Sequence, residues 1–272
     1  MAAIVTDLSP SSLAVAVKAN MYAFFQTLDR SSQATVLDTA RSFRWHTAIE
    51  HPWFNGVLAK QPPADDAPQM IDEARNFFQA HNVSVFTWWL APHLETARWA
   101  QPLLSHGFQF DDHTPGMSVE LGTLAPPAHP NLTIRPVEDS QTLATWAHTF
   151  VQGYGIPMAM LPGFLGLIES LGINWPFRHY LGLLDDQPVA ASTLFLGAGV
   201  AGIYNVATIP EARGQGFGSA ITLVPLREAR DLGYHVGVLQ SSDMGYSVYQ
   251  RLGFQRSCQI EHFYWSAHHA EP

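Results

Sequence analysis

Residues Tyr204–Ala220, YNVATIPEARGQGFGSA, constrain the fold of this chain more tightly than any other stretch. A strand-like run ends at Ile209-Pro210. The glycine-dense turn Arg213-Gly214-Gln215-Gly216-Phe217-Gly218 follows, and Ser219 and Ala220 open a helix over Gly216–Leu232. Strand, glycine turn and helix in this order make an anion trap. The first N–H groups of a helix have no internal acceptor, and the helix dipole places partial positive charge there. Glycine lets backbone amides approach a phosphate and take φ > 0 without strain, and Arg213 adds a fixed charge beside them. A diphosphate suits such a site.

The residues select among diphosphate motifs. A Walker A loop needs a Gly-Lys pair, and the chain has none. A dinucleotide G-x-G-x-x-G begun at Gly214 requires glycine where Ser219 stands. The pattern R-x-x-G-x-G is met by Arg213, Gly216 and Gly218. Around it lie the run Val206–Gly214, the strand-like Val236–Gln240, the segment Val248-Tyr249-Gln250-Arg251-Leu252-Gly253-Phe254 and the opening Leu132-Thr133-Ile134-Arg135-Pro136. Through these motifs the chain from about Leu132 to Trp265 resembles the GNAT N-acyltransferases. The resemblance implies acetyl-CoA or another acyl-CoA as co-substrate, bound where the fourth strand splays from the fifth. It implies that the backbone of Val206 and Thr208 pairs with the pantetheine arm and that the Val206 N–H polarises the thioester carbonyl. The amides of Gly214, Gln215, Gly216, Phe217, Gly218 and Ser219 are implied to hold the pyrophosphate beside Arg213, and Tyr249 to protonate the departing thiolate. Three positions depart from the family pattern. Ser242 replaces a pantetheine-binding Asn, Gly245 replaces a small Ala, and Gly202 stands where some members carry a catalytic Glu. No general base follows from the motif; Glu169, His179 and Glu261 are candidates by rough location.

The surrounding pattern predicts a mixed α/β sheet. Strands are expected at Leu132–Val137, Arg178–Leu184, Pro188–Leu196, Gly202–Ile209, Tyr234–Gln240 and Cys258–Trp265, with helices from Ser140 to about Gln152, over Met158–Leu171 and over Tyr246–Leu252. The proline-rich Gly122–Asn131, GTLAPPAHPN, reads as a linker and divides the chain into domains 1–122 and 131–272. The first half reads as a worn copy of the second: strand Val83–Leu90, helix His93–Ser105 and Gly107-Phe108 match helix and Gly253-Phe254 at an offset of 146 (253 − 107), and the same offset carries Met117 to Phe263. Two GNAT-like domains in tandem are therefore expected, the first without an R-x-x-G-x-G cradle. Its dense aromatics, Phe43, Trp45, Trp53, Phe54, Trp88, Trp89 and Trp99, read as a core, with an acceptor cleft as the alternative.

Composition narrows the partners. The 272 residues carry a net charge of −9 with 14% charged residues and only Lys18 and Lys60 as lysines, which opposes nucleic-acid and anionic-membrane binding. Cys258 is the single cysteine, so no internal disulfide can form. The N-terminal stretch reads as an amphipathic helix rather than a signal, no apolar run is long enough to span a bilayer, and a cytoplasmic location is expected. The histidines, His268-His269 among them, show no metal-ligand spacing, so no metal is expected. The expected function is N-acetyl transfer from acetyl-CoA to a primary amine, in particular that of a small molecule, by a monomer or homodimer. The alternatives are a non-catalytic acyl-CoA-binding sensor or scaffold, and a protein lysine or N-terminal acetyltransferase.

Overall fold

The structure is a computed structural model and describes residues 2–91, 95–125 and 131–267. In chain order the first half holds α1 (Pro10–Gln26), β1 (Ala34–Asp38), β2 (Ser42–Thr47), β3 (Gly56–Ala59), α2 (Ala67–Ala80), β4 (Val85–Leu90), α3 (Thr96–Ser105) and β5 (Gln109–Glu120). The second half holds β6 (Leu132–Pro136), α4 (Ser140–Tyr154), α5 (Leu161–Leu171), β7 (Phe177–Leu184), β8 (Gln187–Gly197), β9 (Val200–Thr208), α6 (Phe217–Asp231), β10 (Val236–Gln240), α7 (Asp243–Arg251) and β11 (Gln255–Ser266). The expected second-half elements are present. Pro126, Pro127 and Pro130 of the expected linker, His93, and His268-His269 lie outside the described residues.

The chain forms two compact units that are not its two consecutive halves: unit 1 is Met1–Phe25 with Pro115–Cys258, and unit 2 is Gln26–Thr114 with Gln259–Pro272. The linear division at 122/131 misses this because strand partners come from far along the chain. In unit 1, β10 pairs antiparallel with β5, Val236 facing Glu120 and Gln240 facing Gly116. In unit 2, β4 pairs antiparallel with β11, Leu90 facing Glu261 and Val85 facing Ser266. The α1 helix joins unit 1 because Ala16 and Val17 bury against Val200, Val236 and Val238 of β9 and β10.

Within unit 1 the strand order is β5-β10-β9-β8-β7-β6. Local chemistry fixes its turns. Asp139 and Thr142 form a capping box at the start of α4, and Gly155 ends that helix at φ +71. Asp185 and Asp186 both take positive φ in the β7–β8 turn, as Ala198 and Gly199 do in the β8–β9 turn, the backbone that a two-residue hairpin requires. Helix α6 buries Phe217, Ala220, Ile221, Leu226 and Ala229 among Leu194, Ala201 and Ile203 of the sheet. Helix α4 covers strands on its own account, with Trp146 fully buried and its indole N–H donating to the Ser192 carbonyl at 3.0 Å.

Within unit 2 the order is β1-β2-β3-β4-β11-β5. Phe43, Trp45, Trp88 and Trp99 form its core with Phe78, Phe86 and Phe108, while Phe54 and Trp89 are half-buried and Trp53 is exposed. The offset of 146 (253 − 107) pairs structurally matching residues: Gly107 and Gly253 follow helices at φ +82 and +94, and Phe108 and Phe254 are both buried. Met117 faces Leu239 of β10, and Phe263, 146 residues on, faces Trp88 of β4.

Candidate active site

The site begins with a failure of pairing. β9 runs parallel to β10 only at Ala201 beside Gly237 and Gly202 beside Val238. Beyond them the register of β9 on β8 shifts between Ala191 and Thr193, and Asn205 takes φ +52. This is a β-bulge, which bends the strand that carries it. After the bulge the Ile209 N–H still donates to Val189 on the β8 side at 3.0 Å. Strand periodicity therefore turns the amides of Val206 and Thr208 to the opposite edge, the one without β10. The Thr208 carbonyl accepts from Arg213 Nε at 3.3 Å.

The glycine turn that follows is built for close approach. Gly214 sits at φ +76 with nothing within 4 Å of an added Cβ, and Gly216 sits at φ +87 as the N-cap of α6 without any side-chain cap. The first turn of a helix offers backbone N–H groups that can serve an anionic acceptor. Gln215 and Gly214 are exposed, Gly218 and Ser219 are half-buried, and Phe217 anchors the turn by burying its ring. Arg213 does more than add charge. Its Nη2 donates to the Gly153 carbonyl at 2.7 Å, so the guanidinium ties the turn to the ends of both β9 and α4. Gly153 is needed there, since a Cβ would lie 2.8 Å from Ala207 Cβ and 3.2 Å from Thr208 N.

Tyr249 lies in α7 and is buried. Burial pushes its phenol well above the ordinary tyrosine range, nearby Tyr154 pushes it further, and a hydrogen bond with Thr222 opposes both. The proton is therefore held at any physiological pH, as an acid and not a base requires. Tyr154, at the end of α4, is itself pushed up to about 12 by burial of its hydroxyl end, although 39% of the residue is exposed. The Thr222 hydroxyl donates to the Gly218 carbonyl at 2.8 Å, linking the phenols to the glycine turn. Tyr154 and Thr222 carry no motif; only the fold brings them to Tyr249.

The departures from the family pattern have physical reasons. A Cβ at Gly245 would lie 2.8 Å from Tyr249 Cε2, so glycine makes room for the tyrosine ring. Ser242 is the N-cap of α7, its Oγ accepting from the Gly245 N–H at 3.3 Å. Gly202 is glycine because Asn20 of α1 fills the space above it: a Cβ would lie 2.1 Å from Asn20 Oδ1. Asn20 is fully buried; its Nδ2 donates to the Gly197 carbonyl and its Oδ1 accepts from the Tyr204 hydroxyl, both at 2.8 Å. The three candidate bases stand on three different elements. Glu169 is exposed on α5, His179 is buried in β7, and Glu261 belongs to unit 2, accepting from the Thr96 hydroxyl at 3.1 Å.

A splayed parallel strand pair leads into a glycine-started helix, with a buried phenol in the same unit. Residues 158–254 match the model of the acetyltransferase (GNAT) family. A mycothiol acetyltransferase from Pseudarthrobacter chlorophenolicus is 38% identical over 101 residues, which are 35% of this chain but 28% of that protein. The match thus spans less than a third of the relative's length. Two solved structures share the fold: a GCN5-related N-acetyltransferase from Kribbella flavida (TM-score 0.69, 21% identity, 92% of this chain and 95% of that one), and a tandem GNAT protein from the clavulanic acid biosynthesis pathway (TM-score 0.61, 10% identity, 92% and 87%). Over residues 158–254 the chain is thus similar to the GNAT acetyltransferases, and its fold is shared with GCN5-related N-acetyltransferases of known structure. Among the described residues no helix is long and apolar enough to cross a membrane.

Proposed function

We propose that this chain transfers an acetyl group from acetyl-CoA to the primary amine of a small molecule. The observation that carries the reading is the bulge at Asn205, which opens the β9 edge directly ahead of the two positive-φ glycines of the cradle. Bound there, acetyl-CoA supplies an activated thioester. The chain's own groups then act at fixed places. The amides from Gly214 to Ser219 hold the pyrophosphate beside Arg213, and a Cβ at Gly216 would remove the φ +87 turn that aims them. The Val206 N–H points along the open edge, where a fixed donor stabilises negative charge as it develops on the carbonyl oxygen. Tyr249 keeps its proton for the departing sulfur. The incoming amine must lose a proton, and the position where some relatives place a glutamate is filled by Asn20. The base is therefore water-relayed or acceptor-side.

The small-molecule acceptor is supported by the partial relative named a mycothiol acetyltransferase. Thiol release from acetyl-CoA, measured against a panel of amino acids, amino sugars, aminoglycosides and lysine peptides, tests the assignment. Release with a small amine supports it. Release only with peptides makes the chain a protein acetyltransferase, and tight acetyl-CoA binding without release from any acceptor makes it a sensor.

A further inference from the structure

The bulge in β9 is held by a buried polar chain that the cradle and Tyr249 do not account for. Asn205, at φ +52, donates through Nδ2 to Thr193 Oγ1 of β8 at 3.2 Å. Thr193 Oγ1 in turn lies 2.9 Å from His179 Nδ1 of β7. Thr193 is fully buried and His179 is 2% exposed. A threonine hydroxyl has one proton. With Oγ1 accepting from Asn205, that proton goes to His179 Nδ1, and the ring proton of the neutral imidazole is placed on Nε2. His179 Nε2 has no hydrogen-bond partner, and the ring lies against Trp146 with centroids 4.4 Å apart. Burial lowers the His179 pKa to about 4, so the imidazole stays neutral and Nδ1 stays an acceptor. A buried polar chain of this kind, running across three adjacent strands to end on the bulge residue, fixes one backbone conformation at the cost of leaving a ring nitrogen unpaired.

We infer that His179, Thr193 and Asn205 are positioning residues for acetyl transfer: they lock the β9 bulge so that the next amide, that of Val206, faces the acyl carbonyl. The inference rests on the transferase reading. It moves His179 from candidate base to the far anchor of the oxyanion donor. Without the Thr193 hydroxyl, Asn205 loses its partner, the bulge can relax toward regular pairing, and the Val206 N–H turns from its aim. Small displacements of such a donor are costly, because its effect depends on direction.

The test reads the carbonyl itself and needs no acceptor. Acetyl-CoA labelled with ¹³C at the carbonyl is bound to the whole chain, and its isotope-edited infrared band is compared with that of the free compound. A hydrogen bond from Val206 lowers the band frequency in the wild type and in Thr193→Ser, which keeps the hydroxyl. Thr193→Val and Asn205→Gly, read at saturating acetyl-CoA, lose more than half of the shift. A full shift in Thr193→Val overturns the inference, as does an equal loss in Thr193→Ser, which would make the effect one of packing. Should Thr193→Val fail to fold, Asn205→Gly carries the test alone, since glycine accepts φ +52. Absence of acetyl-CoA binding by the wild type would overturn the transferase reading itself. Binding with no shift in the wild type would overturn only the inference.

Discussion

Helix α6 of unit 1 and helix α2 of unit 2 each join two parallel strands, β9 to β10 and β3 to β4. The residues that lead into them differ. α6 begins after Arg213 with glycines at φ +76 and +87, no acidic residue in its first turn and no side-chain cap. α2 begins after Pro62, Pro63, Asp65 and Asp66, with Asp66 at the N-cap and Pro68 in the first turn, and Asp66 is paired with Arg41. Like α6, α2 has no acidic residue in its first turn and no side-chain cap bond, but the Asp65 and Asp66 carboxylates leading into it repel a phosphate, and Pro68 removes a donor. The strands differ in the same sense. β3 ends at Ala59, with Gly56, Val57 and Leu58 each matched on β4, so it leaves no long unpaired edge. The residue 146 before Tyr249 (249 − 146 = 103) is Leu103, fully buried in α3. Similar topology therefore carries a glycine turn and a buried tyrosine in one unit, and acidic residues, a proline and a buried leucine at the corresponding places in the other.

The largest effect expected from this contrast is at Tyr249. Tyr249→Phe keeps the ring that Gly245 accommodates and removes only the hydroxyl. The rate of transfer should fall by about 10²-fold or more with little change in the KM for acetyl-CoA, as for loss of a general acid. A fall smaller than about threefold, with chemistry rate-limiting, would remove the proton-donor role and leave Tyr249 equivalent to Leu103. Next comes Gly216→Val. A β-branched side chain at φ +87 is strained and stands in the cradle, so acetyl-CoA affinity should weaken by about 100-fold, or about 2.7 kcal/mol. Calorimetry on a variant shown by circular dichroism to be folded checks this. Unchanged affinity would place the pyrophosphate elsewhere.

Each unit also buries one neutral histidine, His179 in unit 1 and His262 in unit 2, and burial lowers both pKa values to about 4. In the unfolded chain a histidine titrates near 6.5. As pH falls below that value the unfolded state takes up the proton and the folded state does not, so stability declines until pH nears 4 and then levels off. At pH 5 each histidine should cost about 2 kcal/mol relative to pH 7.5. Urea unfolding at the two pH values, for the wild type and for His262→Gln, measures it. An equal loss in both proteins would show that His262 is not a buried neutral group.

Much of this site was legible in the sequence where chemistry is local. The glycine turn, the α6 helix behind it and the Tyr249 segment announce themselves because positive φ and helix starts depend on near neighbours. The bulge did not, since asparagine also tolerates left-handed backbone and Asn205 looks like any strand residue. Asn20 acts on Gly197, 177 residues away, and no local pattern connects them. The units themselves were hidden for the same reason: β10 and β4 each find an antiparallel partner from the other half of the sequence.

The smallest effect, and the sharpest test of the contrast, is expected at Asp66. Its pair with Arg41 joins half-exposed side chains, so the pair is worth about 0–1 kcal/mol. Its charge at the start of α2 adds about 0.3–1 kcal/mol through the helix dipole. Asp66→Ala should therefore lower stability by about 1 kcal/mol, read by urea unfolding. Acetyl-CoA affinity should stay within about twofold, because the proposed pyrophosphate contacts are those of the α6 turn. Calorimetric titration should still give one acetyl-CoA per chain, since Pro68 continues to deny a donor and no glycine turn precedes α2. A second acetyl-CoA in Asp66→Ala, or in the double variant with Asp65→Ala, would show that carboxylates alone close the α2 end. The difference between the two units would then be one of surface charge, and backbone geometry would no longer separate them.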